Sequence, residues 1–171
     1  MHKFARSIVI PDDKQMAVKV VSSDFVEYKD VLIAPSKGNL SRLIDPFDVP
    51  YEFGSVYQND SFFPGKLAKL ESPYILGDLR GQSVVFYPFQ YNPIQKVLRV
   101  YRNIHVEVSA IGTGIVNVLT RASTQPKYAW EYVNIYENHF VNFSNDDRFD
   151  YLVDHGNMLV ISDGAFLATM Q

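Results

Sequence analysis

Among 171 residues there is no cysteine. That excludes a disulfide framework, thiolate metal sites and a cysteine nucleophile within this stretch. It does not fix the compartment, because a secreted bacterial protein need not carry disulfides. Positive charge is not in excess either. With 16 Lys and Arg against 19 Asp and Glu, the formal charge is −3 and no basic stripe forms, which argues against a nucleic-acid partner. No apolar run approaches the roughly 20 residues that a membrane-spanning helix needs. The residues after Met1, HKFARSIVIPDDK, hold an apolar run too short and too soon interrupted for a signal peptide. Any secretory signal is therefore expected upstream. There is no G-x-S-x-G elbow and no set of oxygen ligands at EF-hand spacing, so no catalytic residue, metal or cofactor is assigned.

What remains is the composition of a packed domain. A hydrophobic share of 47% with 20% charged residues can bury a core and argues against disorder. The 12 Phe and 11 Tyr lean the chain towards β-structure. Its length fits one domain with a real core, or one domain plus a fragment.

The organising stretch is Gly81 to Ser109, GQSVVFYPFQYNPIQKVLRVYRNIHVEVS. Val84 to Tyr91 is apolar or aromatic on both faces apart from Pro88 and Gln90, as in a strand covered on two sides. Asn92-Pro93 marks a turn, since proline presets φ and asparagine bonds its own backbone. From Val97 the pattern is period two. Leu98, Val100, Ile104, Val106 and Val108 share one face; Arg99, Tyr101, Asn103, His105 and Glu107 share the solvent face. Arg102 is the polar exception on the apolar side, which predicts a bulge or a snorkelling arginine there. The whole reads as a hairpin of Val84–Tyr91 with Val97–Val108.

Before it, Phe4–Ile10 and Met16–Val21 read as a hairpin about Pro11-Asp12-Asp13, and Phe25–Ala34 as a further strand. Two adjacent acids in a turn are solvated turn formers far more often than metal ligands. Residues 39–64 are rich in Pro, Asp, Asn and Ser with no sustained period. Their aromatics argue for a packed surface loop. Residues 114–121 read as another strand. From Tyr128, the residues Ala129, Val133, Tyr136, Phe140 and Phe143 recur at helical spacing, a stripe that should dock on the sheet. Ser144 to Arg148 reads as an exposed linker, and 157–164 as a buried-type strand leading into a helix over 165–171. His155-Gly156 is a loop histidine, because no cysteine partner exists for it. Asn39, Asn59 and Asn142 begin glycosylation sequons, a short motif that often occurs by chance.

Two segments carry a family likeness. RGQSVVFYPFQYNPIQKVLRVYRNIHVEVS and VKVVSSDFVEYKDVLIAPSKGNLSR resemble the propeptides of the gingipain family of clan CD cysteine endopeptidases, most closely the arginine-specific ones. One departure is Gly77, where the family has a larger, often basic, residue. The resemblance implies a propeptide that chaperones and inhibits a cognate gingipain-like catalytic domain, in a secreted, periplasmic or cell-surface protein of a bacterium.

It also implies domain boundaries. Residues 1–143 would be the propeptide, truncated at its start, 144–155 a linker, and 156–171 the opening of the peptidase domain. In that family a basic propeptide side chain enters the enzyme's specificity pocket, and Arg42 holds the matching place. The linker is where zymogens are cut, which implies Arg148-Phe149 as the processing site. The fold expected is mainly β: an antiparallel sandwich with a C-terminal helix, then the start of an α/β domain. The alternative is a free-standing β-sandwich that binds carbohydrate or protein through exposed Tyr and Phe.

Overall fold

The computed structural model describes residues 2–120, 128–129, 132–144 and 149–150. Two antiparallel sheets form the body. The first contains β1 (Phe4–Val9), β3 (Ala68–Leu70), β4 (Tyr74–Leu76) and β5 (Leu79–Phe86), all but β5 itself pairing with β5. The second has β2 (Lys14–Tyr28), β7 (Val97–Thr113) and β6 (Phe89–Asn92) in that order. A helix, α1 (Val133–His139), follows β8 (Tyr128–Ala129), which pairs in parallel with β9 (Phe149–Asp150).

The predicted central hairpin is half right. β6 and β7 are antiparallel partners, Asn92 facing Val97, and Asn92 Oδ1 accepts from the amides of Ile94 and Gln95 at 3.1 Å each. The apolar run before them is not one strand. It divides at Tyr87-Pro88, with Val84–Phe86 in the first sheet and Phe89–Asn92 in the second. Proline has no amide to give a ladder, so the chain leaves one sheet there and enters the other.

The N-terminal hairpin is also corrected. β1 pairs with β5 and β2 with β7, so Pro11-Asp12-Asp13 joins two sheets. That turn is held from outside. Gly114 N donates to Asp13 O at 2.7 Å and Leu119 N to Asp12 O at 3.0 Å. Arg80, 1% exposed, donates to Pro11 O at 2.8 Å and Lys14 O at 2.7 Å through one nitrogen. Its other nitrogens reach Val116 O at 2.8 Å and Asn117 O at 2.7 Å.

One further expected strand stops short and another is missing. β2 ends at Tyr28 instead of reaching Ala34, and Asp30 has φ +58°; the strand expected over 114–121 does not form in the described residues 114–120, where Asn117 has φ +46°. A left-handed residue cannot continue a ladder. Arg102 does mark a bulge: Asp24 faces Asn103, Phe25 faces Tyr101, and Arg102 is the exposed extra residue between them.

The helical stripe docks as expected, although α1 begins at Val133 and Ala129 lies in β8. Tyr136 and Phe140 are 0% and 2% exposed and pack on Leu79, with Val9, Tyr74, Leu76 and Phe143 around them. The chain then runs along the edge of β1. Val141 N donates to Ser7 O at 3.0 Å, and the Asn142 amide exchanges two hydrogen bonds with Val9. Asn142 is thereby engaged as a strand mimic.

Gly77 is explained by this packing. Its φ is +56°, and a Cβ would overlap the Tyr136 hydroxyl, which accepts from Asp78 N at 3.0 Å. Gly77→Ala should lower stability by about 2 kcal/mol or more, from left-handed strain and displacement of a buried ring. A thermal melt checks this, and an unchanged midpoint would mean that Tyr136 moves aside freely.

Candidate inhibitory loop

Residues 29–64 leave the end of β2 and return to β6 without a strand of their own, broken only by a 3-10 turn at Ser55–Gln58. The Gln90-Tyr91-Asn92 segment holds both ends of this excursion. Tyr91 Oη donates to Val31 O at 2.9 Å, close to where Val31 N donates to Lys96 O at 2.9 Å. Tyr91 and Phe63 exchange two backbone bonds of 2.9 Å. Gln90 Nε2 donates to Pro64 O at 2.6 Å, and Gln90 Oε1 accepts from Tyr101 Oη at 2.7 Å. Asn92 Nδ2 and Gln95 Nε2 both donate to Asp60 Oδ1, at 2.7 and 2.8 Å. Gln90, Tyr91 and Asn92 are all buried, so the bonds their side chains make are partly shielded from competing water, while the Gln95–Asp60 bond lies at the surface.

Arg99 is not the free surface arginine that the alternation suggests. It pairs with Glu27 at 2.8 Å, and its guanidinium lies 3.6 Å from the Phe62 ring centre and 4.8 Å from that of Phe25. It therefore clamps the loop's returning arm to the sheet. Phe25 also packs on Tyr101, with ring centres 5.2 Å apart. The aromatics of this face thus pair with one another and with an arginine, an arrangement unlike an open platform for sugar stacking.

Between its anchored ends the loop lines a partly open apolar pocket of about 270 Å³, bordered by residues including Ile33, Pro35, Val56, Tyr57 and Phe63. Burial first, then the neighbouring Tyr91, raises the Tyr57 pKa above the usual tyrosine value. Farther out, two turns follow in succession. Ile44 N donates to Ser41 O at 3.0 Å and Asp48 N to Asp45 O at 3.1 Å. In each, the first residue's side chain also accepts from the third residue's amide: Ser41 Oγ from Leu43 at 3.3 Å, Asp45 Oδ1 from Phe47 at 2.9 Å. Lys37 fastens the pair, its Nζ 2.5 Å from Pro46 O and 4.3 Å from the Tyr51 ring centre.

Arg42 is the second residue of the first turn. It is exposed, and among the described residues it makes no hydrogen bond or ion pair. The backbone of a doubly bonded turn, on a loop tied at both ends, has little freedom left to lose when a partner takes up its cation, so only the side chain remains to be ordered. The other sequence-predicted residues lie apart. Arg148 and His155 fall outside the described residues, and Phe149 is described only as backbone in β9. No cluster of three or more His, Asp or Glu suited to a metal occurs among the described residues. No helix among them is long and apolar enough to cross a membrane. The anchoring roles of Gln90, Tyr91 and Asn92 were hidden in the sequence, although the Q-Y-N-P run that carries them stood out.

Comparison with known proteins places this geometry. The Propeptide_C25 family model matches residues 3–147. Gingipain R2 of Porphyromonas gingivalis is 45% identical over 139 residues, which is 81% of this chain and 19% of that protein. Gingipain R1 of the same organism is 44% identical over 135 residues, 79% of this chain and 14% of that protein. The chain thus spans less than a fifth of these curated relatives. The solved complex of P. gingivalis RgpB pro- and mature domains aligns with 82% of this chain and 69% of that one, at TM-score 0.69 and 44% identity.

Proposed function

We infer function from the premise that this chain belongs to the Propeptide_C25 family. It is the propeptide portion of a gingipain-type precursor and has no cysteine with which to be the enzyme itself. The proposed role is latency: the domain assists folding of a gingipain-like catalytic domain and blocks it until the two are separated. A secreted or cell-surface location goes with that role.

The observation that carries the inhibitory part is Arg42, exposed and unpaired on its fastened turn. Guanidinium offers a planar fork to a carboxylate in an arginine-accepting pocket. Covalent tethering then makes moderate affinity sufficient, since a short linker supplies an effective concentration of order millimolar. Cleavage at Arg148-Phe149, the proposed processing point, would remove that advantage. Residues 1–143 would be the inhibitory domain, 144–155 the linker, and 156–171 the first part of the catalytic domain.

The test is inhibition in trans. The 171-residue chain, added to the mature domain of gingipain R2, should block cleavage of a small arginyl substrate competitively and reversibly. No inhibition at micromolar chain would sink the proposal.

A further inference from the structure

Leu43 and Phe47 are 96% and 94% exposed, almost as open as in an unfolded chain. They occupy equivalent places. Each is the third residue of one of the two consecutive turns, with its amide bonded to the side chain that opens that turn. Ser41-Arg42-Leu43-Ile44 and Asp45-Pro46-Phe47-Asp48 are one motif used twice, and Lys37 locks the second copy. Large apolar side chains projecting into water from a hydrogen-bonded backbone, four residues apart and beside an unpaired arginine, are what a contact surface requires.

We infer that Leu43 and Phe47 are the selectivity contacts of this loop. On this reading they dock on an apolar shelf of the cognate peptidase next to the acidic pocket that takes Arg42. The inference rests on the proposed inhibitory role and adds to it. An arginine alone suits every peptidase with an acidic specificity pocket, so occupancy of the pocket does not choose a partner. Two apolar side chains at fixed positions do, because a peptidase without a matching shelf leaves them wet. Continuity with Arg42 on the same pair of turns identifies the occupant as the peptidase rather than a second copy of this chain.

The experiment compares the full chain with Leu43→Ser, Phe47→Ser and the double variant. The targets are the mature domain of gingipain R2 and trypsin, an unrelated peptidase that also accepts arginine. Against the gingipain, each single change should raise the inhibition constant about tenfold to a hundredfold, mainly by faster dissociation. The double change should raise it further. Leu43→Met and Phe47→Leu should stay within about threefold of wild type. Against trypsin, wild type and variants should be equally weak. Melting temperatures should hold, since neither side chain is packed internally.

Three outcomes overturn the inference. If the serine variants inhibit like wild type while Arg42→Ala fails, the shelf is wrong and the inhibitory role stands. If the wild-type chain does not inhibit, both fall together. If the chain dimerises in sedimentation and the serine changes abolish that without altering inhibition, the occupant is a second copy.

Discussion

Arg42→Ala is expected to raise the inhibition constant against an arginine-specific gingipain by at least roughly thirtyfold. Truncating one member of a desolvated charge pair strands the other in a buried pocket, and the loss lies mostly in dissociation. Because Arg42 is exposed and unpaired in the isolated chain, its removal leaves the domain's own stability unchanged. The measured loss therefore reports the complex alone. Arg42→Lys should recover only part of the affinity, since a point charge cannot reproduce the fork. The suitable control is Arg102→Ala, at another exposed arginine; Arg99 would mislead, because it clamps Phe62 and Glu27. Equal inhibition constants for wild type and Arg42→Ala would remove Arg42 from the mechanism.

Arg80→Met should be the most damaging single change to the fold, costing about 3–5 kcal/mol. Four carbonyl oxygens, of Pro11, Lys14, Val116 and Asn117, converge on that one buried guanidinium. Methionine fills much of the space but takes the guanidinium donor from all four acceptors, leaving Pro11 O only a long 3.5 Å bond from the Lys14 amide, and buried polar groups that lose their partner are expensive. For a domain of this size the melting temperature should fall by about 10 °C. Arg80→Lys should recover less than half, because one ammonium cannot span acceptors from two separate loops. A loss below about 1 kcal/mol would show that water replaces the guanidinium. The same change should weaken inhibition only at temperatures where the variant begins to unfold, since Arg80 lies away from the loop that carries Arg42.

How far these features were legible varies with their range along the chain. The period of β7 and the turn at Asn92-Pro93 are local, and both were readable. So was the bulge, because Arg102 interrupts an apolar row that the pleat otherwise keeps in phase. The docking of Tyr136 and Phe140 followed from helical spacing. Pairing partners were a different matter. Pro11-Asp12-Asp13 has the same turn chemistry whether it closes a hairpin or bridges two sheets. Pro88 looked like a tolerated interruption and proved to be the point of exchange.

At the loop, likeness to known propeptides singles out Arg42, and its place in a polar surface segment predicts the exposure found. The tandem turn beneath it was not foreseen, since Ser41 and Asp45 are unremarkable until their amide partners are seen. Arg80 was invisible as an anchor for a similar reason. An arginine beside a glycine reads as surface, and its acceptors come from two segments far away in the sequence.

The exchange of partners between the sheets also orders events in time. Phe4 pairs with Phe86 and Lys14 with Thr113, so β1 and β2 have no ladder to join until the far half of the domain exists. β6 and β7, by contrast, are joined by one short turn and can zip as soon as both are made. On a ribosome, β1 and β2 would emerge before the strands they pair with. Folding of such a topology is slow for its size, because long loops close before their contacts reward them. The hairpin of β6 and β7 is the natural seed on which β2 is laid, and the loop bearing Arg42 is drawn in last, when Tyr91 and Asn92 are already in place to receive it.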